Sequence, residues 1–123
     1  MPIRILDVGQ CGFDGPRMAK LWRERLGAEV VDSNSADDAL QQIKQTPFDV
    51  VLVNRVLAGD GASGLEVIES IVKAAPETPV MLVSDLPDAQ DDAVARGARR
   101  GFGKAALGDP STLELVERTA RGE

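Results

Sequence analysis

Residues 48–57 read Phe48-Asp49-Val50-Val51-Leu52-Val53-Asn54-Arg55-Val56-Leu57, and this stretch decides the fold. An aliphatic run bounded by polar residues leaves no face for water, which is the pattern of a short strand covered by other layers on both sides. Such strands belong to parallel sheets, and the carboxyl end of a central parallel strand is where these folds place their chemistry. Here that end carries Asn54 and then Arg55. An amide is neither acid, base nor nucleophile, so its presence there needs a reason.

Working outward, the pattern repeats. Residues 3–8 and 80–84 read as buried strands, 29–32 as a shorter one, and 99–104 as a fifth in which only Phe102 is strongly apolar. Amphipathic segments separate them. Met18, Leu21, Trp22 and Leu26 recur at helical spacing from about Pro16, with Gly27 as the stop. Ser35 caps a helix whose inner stripe is Ala36, Ala39, Leu40 and Ile43. Leu65, Ile68, Ile71 and Val72 share a face, residues 88–96 form a helix stopped by Gly97, and Asp109-Pro110 opens the last one. Five strands alternating with five helices through short connections predict an α/β fold. With right-handed crossovers it becomes a doubly wound five-stranded parallel sheet, a flavodoxin-like three-layer sandwich over residues 1–123 as a single domain.

Composition narrows the function classes. The net charge of −6 argues against nucleic acid or an anionic membrane surface as the main partner. No apolar run is long enough to cross a membrane, and the chain enters its first strand directly, with no signal-peptide pattern; a cytoplasmic location is the expectation. One cysteine, Cys11, excludes an internal disulfide, and with no histidine a zinc site is not expected. The absent histidine also removes the usual general base at neutral pH.

Six stretches, RILDVG (4–9), LGAEVVDSNSADDAL (26–40), PFDVVLVNRVL (47–57), SGLEVIESI (63–71), TPVMLVSD (78–85) and GARRGFGK (97–104), occur in an order and spacing that resembles the receiver domain of bacterial two-component response regulators. The resemblance implies a phosphorylation site where an aspartate ending the third strand attacks phosphorus. Acids after the first strand help to hold Mg²⁺, with a Ser or Thr ending the fourth strand and a lysine ending the fifth. Carried over residue by residue, the nucleophile position is Asn54, and the acidic pair falls on Gly9 and Gln10 or on Gln10 and Cys11. Ser84 and Lys104 retain the hydroxyl and the amine. The proline expected after the lysine is Ala105, and the aromatic switch position is Gly101, with Phe102 beside it as a partial substitute. An aspartyl phosphate needs a carboxylate nucleophile, and Mg²⁺ needs hard oxygen ligands. Both are replaced together, so the resemblance implies a pseudo-receiver with no resident metal or cofactor.

Each candidate has a plainer reading beside the functional one. Asn54 either serves recognition or satisfies backbone groups at the strand end. Asp85, next to Ser84, either begins a turn or pairs with Lys104 as a phosphate mimic. Cys11 reads as inert, because the first helix is expected to start too late to lower its pKa. Arg96, Arg99 and Arg100 form a basic run, either a solvated face or the interface through which receivers meet a partner or a second copy. The leading expectation is a non-enzymatic signalling module that associates with a protein partner, another domain of a signalling protein or a second copy, independently of phosphorylation. The alternative is a small-molecule or nucleotide-binding protein using the glycine-rich loop 9–15, whose spacing is neither the dinucleotide fingerprint nor the P-loop.

Overall fold

The computed structural model describes residues 2–123. In chain order the elements are β1 (Arg4–Val8), α1 (Asp14–Leu26), β2 (Glu29–Ser33), α2 (Ala36–Gln45), β3 (Val50–Asn54), α3 (Gly64–Ala74), β4 (Val80–Val83), α4 (Pro87–Ala95), β5 (Arg99–Phe102), a short 3₁₀ turn (Lys104–Ala106) and α5 (Pro110–Ala120). The strands form one parallel sheet in the order β2-β1-β3-β4-β5. This is the flavodoxin-like α/β arrangement expected from the alternation of strands and helices.

Side chains alternate across each strand, so the sheet carries two cores. Leu6, Val8, Val51, Val53 and Leu82 pack with Ile68 and Ile71 of α3. On the other face Ile5, Val50, Leu52, Met81 and Val83 meet Met18 and Trp22 of α1 and Leu113 and Val116 of α5. The chain runs from β1 outward to β2 and then crosses back to β3, which reverses the strand order between β1 and β3. Val8 pairs with Val53, so Gly9 and Asn54 leave the sheet side by side at the place where open α/β folds bind ligands.

Two boundaries differ from the sequence expectation by two residues each. Helix α1 begins at Asp14 rather than Pro16, because the Cys11 Sγ accepts the Asp14 N–H at 3.3 Å and the Cys11 carbonyl accepts the Gly15 N–H at 2.8 Å. These bonds draw two further residues into the first turn, and Pro16, whose missing N–H costs little there, follows inside it. Strand β5 ends at Phe102, and Lys104 starts the 3₁₀ turn. Phe102 is no surface switch: it is 7% exposed and meets Trp22 edge-to-face, with ring centroids 5.7 Å apart.

The β4–β5 ladder shifts register between Met81 and Val83. The irregularity is bridged by a residue the sequence did not single out. Gln90 of α4 is buried, and its Nε2 donates to the Leu82 and Ser84 carbonyls, both at 3.0 Å. Its Oε1 accepts the Gly101 N–H at 2.9 Å. A side chain at Gly101 would run into the Leu82 backbone, so the bulge requires glycine where the family resemblance expects an aromatic ring.

Candidate functional site

Asn54, Ser84, Asp85 and Lys104 line one cleft of about 370 Å³ at the carboxyl end of the sheet. Each is held by bonds within the chain. The Asn54 Nδ2 donates to the Gly9 carbonyl at 3.2 Å and to the Val56 carbonyl at 2.8 Å, which commits both amide hydrogens. Those bonds tie β3 to the β1–α1 loop and to the turn that follows β3. A carboxylate offers no hydrogen in either direction, so the amide does structural work here that an ionised aspartate could not reproduce.

Gly9 adopts φ +78° and lies against Leu57, so any side chain there meets both a left-handed backbone and a packed neighbour. Its N–H donates to Ser33 and its carbonyl accepts from Ala58 as well as from Asn54. Ser84 turns its hydroxyl onto the Leu86 N–H, at 3.1 Å.

Lys104 reaches across to α1 rather than to Asp85. Its Nζ donates to Asp14 Oδ2 at 2.8 Å. Asp14 also accepts from Arg17 at 3.2 Å and from the Cys11 thiol at 3.4 Å. The Lys104 hydrogen bond is the main reason that the Asp14 carboxyl sits below the usual carboxylate range. The expected Asp85–Lys104 pair is therefore corrected: the Asp85 carboxylate accepts the Ala105 N–H at 3.3 and 3.4 Å instead. Gly103, with no side chain, lets that carboxylate press against the backbone, while the lysine stem leaves towards α1. Asp14 was missed as a partner because the first turn of α1 was not assigned to it.

Asp7 was also missed. It is 1% exposed near the carboxyl end of β1, and neither of its carboxylate oxygens has a hydrogen-bond partner among the described residues. Burial raises its pKa to about 7; the Asp32 carboxylate adds to the rise, and the Gln10 side chain and the Lys104 ammonium oppose it. Gln10 is close enough to act on Asp7, yet both of its side-chain amide atoms are buried and form no well-aligned hydrogen bond among the described residues. The available signal was an acid interrupting the apolar run Ile5-Leu6-Asp7-Val8.

Among the described residues no cluster of three or more His, Cys, Asp or Glu side chains is placed to hold a metal. The donor set does not fit Mg²⁺: the acidic-pair positions carry Gly9, Gln10 and Cys11, and the nearby ammonium of Lys104 already neutralises Asp14. In the loop 9–15 the Gly9, Asp14 and Gly15 amides donate to the Ser33 carbonyl, the Cys11 Sγ and the Cys11 carbonyl.

The basic run divides. Arg96 binds Asp92 at 3.0 Å and Glu69 of α3 at 3.6 Å, and Asp92 is the chief cause of its raised pKa. Arg100 pairs with Asp91 of α4 at 2.7 Å, and together with Arg99 it lines a groove of about 430 Å³ with Glu114, Leu115 and Arg118 of α5 and with Glu123. Arg96 thus faces α3, apart from the surface expected of all three.

No protein-family model and no curated protein matches the sequence. Solved structures do. The receiver domain of NtrX from Brucella abortus superposes with a TM-score of 0.85 at 26% identity, covering 97% of this chain and 99% of that one. The fold is that of a response-regulator receiver domain. A CheY-like receiver domain from Methanospirillum hungatei has the same fold, with a TM-score of 0.80 at 19% identity over 98% of this chain and 96% of that one. Against the longer NtrX structure from Brucella abortus, with a TM-score of 0.86 and 26% identity, 99% of this chain covers 27% of that one. The receiver fold therefore matches about a quarter of that longer protein. No helix among the described residues is long and apolar enough to cross a membrane.

Proposed function

We propose that this chain is a pseudo-receiver: a cytoplasmic, non-enzymatic signalling module that works through protein association without forming an aspartyl phosphate. The receiver fold supports a role in signal transduction. The observation that carries the finer reading is the commitment of both Asn54 amide hydrogens to backbone carbonyls at 3.2 and 2.8 Å. The nucleophile position has become a strut. An amide nitrogen, its lone pair delocalised into the carbonyl, does not attack phosphorus at useful rates. Gly9, Gln10 and Cys11 stand where acids would help to hold the cation that neutralises the developing charge.

The partners of the other retained positions point the same way. Ser84 is engaged by Leu86, Lys104 by Asp14, and the α4–β4–β5 region is tied together by Gln90. A scaffold closed in this way presents one constant surface rather than two switched ones. The surface we favour for a partner is the groove between β5 and α5, where Arg99, Arg100 and Arg118 outnumber Glu114 and Glu123 and the exposed Leu115 adds an apolar contact. An acidic partner segment, another domain of the same protein or a second copy would fit this chemistry.

The test is intact-mass spectrometry after incubation with acetyl phosphate and Mg²⁺. An unchanged mass is expected. A phosphoryl adduct mapped to the cleft would overturn the reading.

A further inference from the structure

A groove of about 420 Å³ lies between α1 and the turn that follows β5. It is separate from the β5–α5 groove and shares only Lys104 with the Asn54 cleft. Arg17, Lys20 and Glu24 of α1 line one side, Lys104 lines the other, and Leu21 and Leu107 form the base. We propose that this groove binds a small, single-headed organic anion: a carboxylate or phosphate carried on a short aliphatic body. The site is independent of the pseudo-receiver reading and of any phosphorylation at Asn54.

The spacing along α1 comes first. Arg17, Lys20, Leu21 and Glu24 stand at i, i+3, i+4 and i+7, which puts them on one face of the helix. Opposite them, the chain turns after Lys104 and brings in Leu107, 6% exposed and part of the core that contains Trp22. Leu21 packs on the same core and stays half-buried. The base of the groove is therefore apolar and continuous with the interior. A hollow of this volume is of the size that holds small ligands.

Charge selects the ligand. The chain has a net charge of −6, yet three cations line this one groove. Arg17 and Lys104 are partly committed, both to Asp14, at 3.2 and 2.8 Å. Each keeps N–H groups to donate, since a guanidinium carries five and an ammonium three. Lys20 is exposed and forms no ion pair among the described residues. Set against Asp14 and Glu24, the three cations leave one positive charge uncompensated. Glu24 stands one turn beyond Lys20 and repels a second negative group. The ligand thus has one charged head at Lys20 and an apolar body over Leu21 and Leu107, whereas a dicarboxylate would set a charge against Glu24.

The experiment is a nitrogen–proton correlation titration of the full chain with octanoate, octyl phosphate, octylammonium and inorganic phosphate. Octanoate or octyl phosphate should shift the amides of residues 17–24 and 104–108 with half-saturation below about 10 mM, and the tighter of the two identifies the head group. Lys20→Glu, at an exposed position where the fold tolerates it, should weaken binding about tenfold, and Lys20→Arg should retain it. Octylammonium and inorganic phosphate should produce no saturable shift, one lacking the negative head and the other the apolar body. Four results would each overturn the proposal: no saturation by either amphiphilic anion, shifts that map outside the groove, equal binding of octylammonium or inorganic phosphate, or unchanged affinity in Lys20→Glu.

Discussion

Replacing Gln90 by methionine tests how far the α4–β5 region is locked. Methionine has a similar length and flexibility, so the cavity term is small and the measured loss reports on polar contacts. Three backbone groups lose their partner: the Leu82 carbonyl, the Ser84 carbonyl and the Gly101 N–H. Leaving a buried backbone group unsatisfied costs roughly 1–3 kcal/mol. Ser84 and Gly101 are only half-buried and recover some solvation, which brings the sum to about 3–5 kcal/mol. Against a typical domain stability of about 5–15 kcal/mol that is a large fraction. Trp22, the only tryptophan and fully buried, reports unfolding by fluorescence. In urea the midpoint should fall by roughly 2 M at an unchanged slope, taking a slope of about 2 kcal/mol per molar. Hydrogen exchange at the Gly101 amide should accelerate before that of the β1 and β3 amides. A loss under about 1 kcal/mol, with Gly101 still protected, would show that the register shift is satisfied without Gln90 and that the region is not stapled.

Asn54→Asp should remain nearly unlabelled by acetyl phosphate and Mg²⁺ in intact-mass spectrometry, because restoring the nucleophile restores neither metal ligand; rapid labelling would reveal a cation site built from other carboxylates. The same variant should lose stability by about 1–3 kcal/mol in urea titration at neutral pH, since an ionised acid cannot donate to the Gly9 and Val56 carbonyls. Asp7 makes the protein more stable in mild acid than in mild base. Its folded pKa of about 7 lies above the ordinary 3.8, so the native state binds the extra proton, and stability falls as pH rises through that window and levels off above it. The ceiling is about 4 kcal/mol by linkage, and Asp7→Asn should flatten the difference in melting temperature between pH 5 and pH 8; an unaltered difference would refute it. Reversing the charges of Arg99 and Arg100 together should weaken association with a partner or second copy and reduce its salt dependence, measured by sedimentation or titration calorimetry. Unchanged binding would move the interface off the β5–α5 groove.

What the sequence determined by itself is the fold and the identity of the substitutions. Strands such as Val50–Asn54 are apolar on both faces and alternate with amphipathic helices, and that pattern admits few packings. Ser35 does cap α2, its side chain accepting the Asp38 N–H at 3.1 Å, because capping is a local interaction legible within four residues. The spacing of residues along the chain also sufficed to bring Asn54, Ser84 and Lys104 to one cleft. The partners of those residues were decided only in three dimensions. Lys104 and Asp14 are ninety positions apart and meet because β5 and α1 lie at the same end of the sheet; their pairing is set by side-chain reach and by competition with the nearer Asp85. Gln90 looked like one polar residue on a helix, and it became a buried bridge because the β4–β5 register slips at Gly101 and leaves backbone groups to be satisfied. Asp7 was readable as an acid in an apolar strand, but its isolation is a property of every element packed around it. Local propensity and periodicity travel with the chain, whereas burial, ion pairing and the state of a proton depend on what the finished fold places alongside.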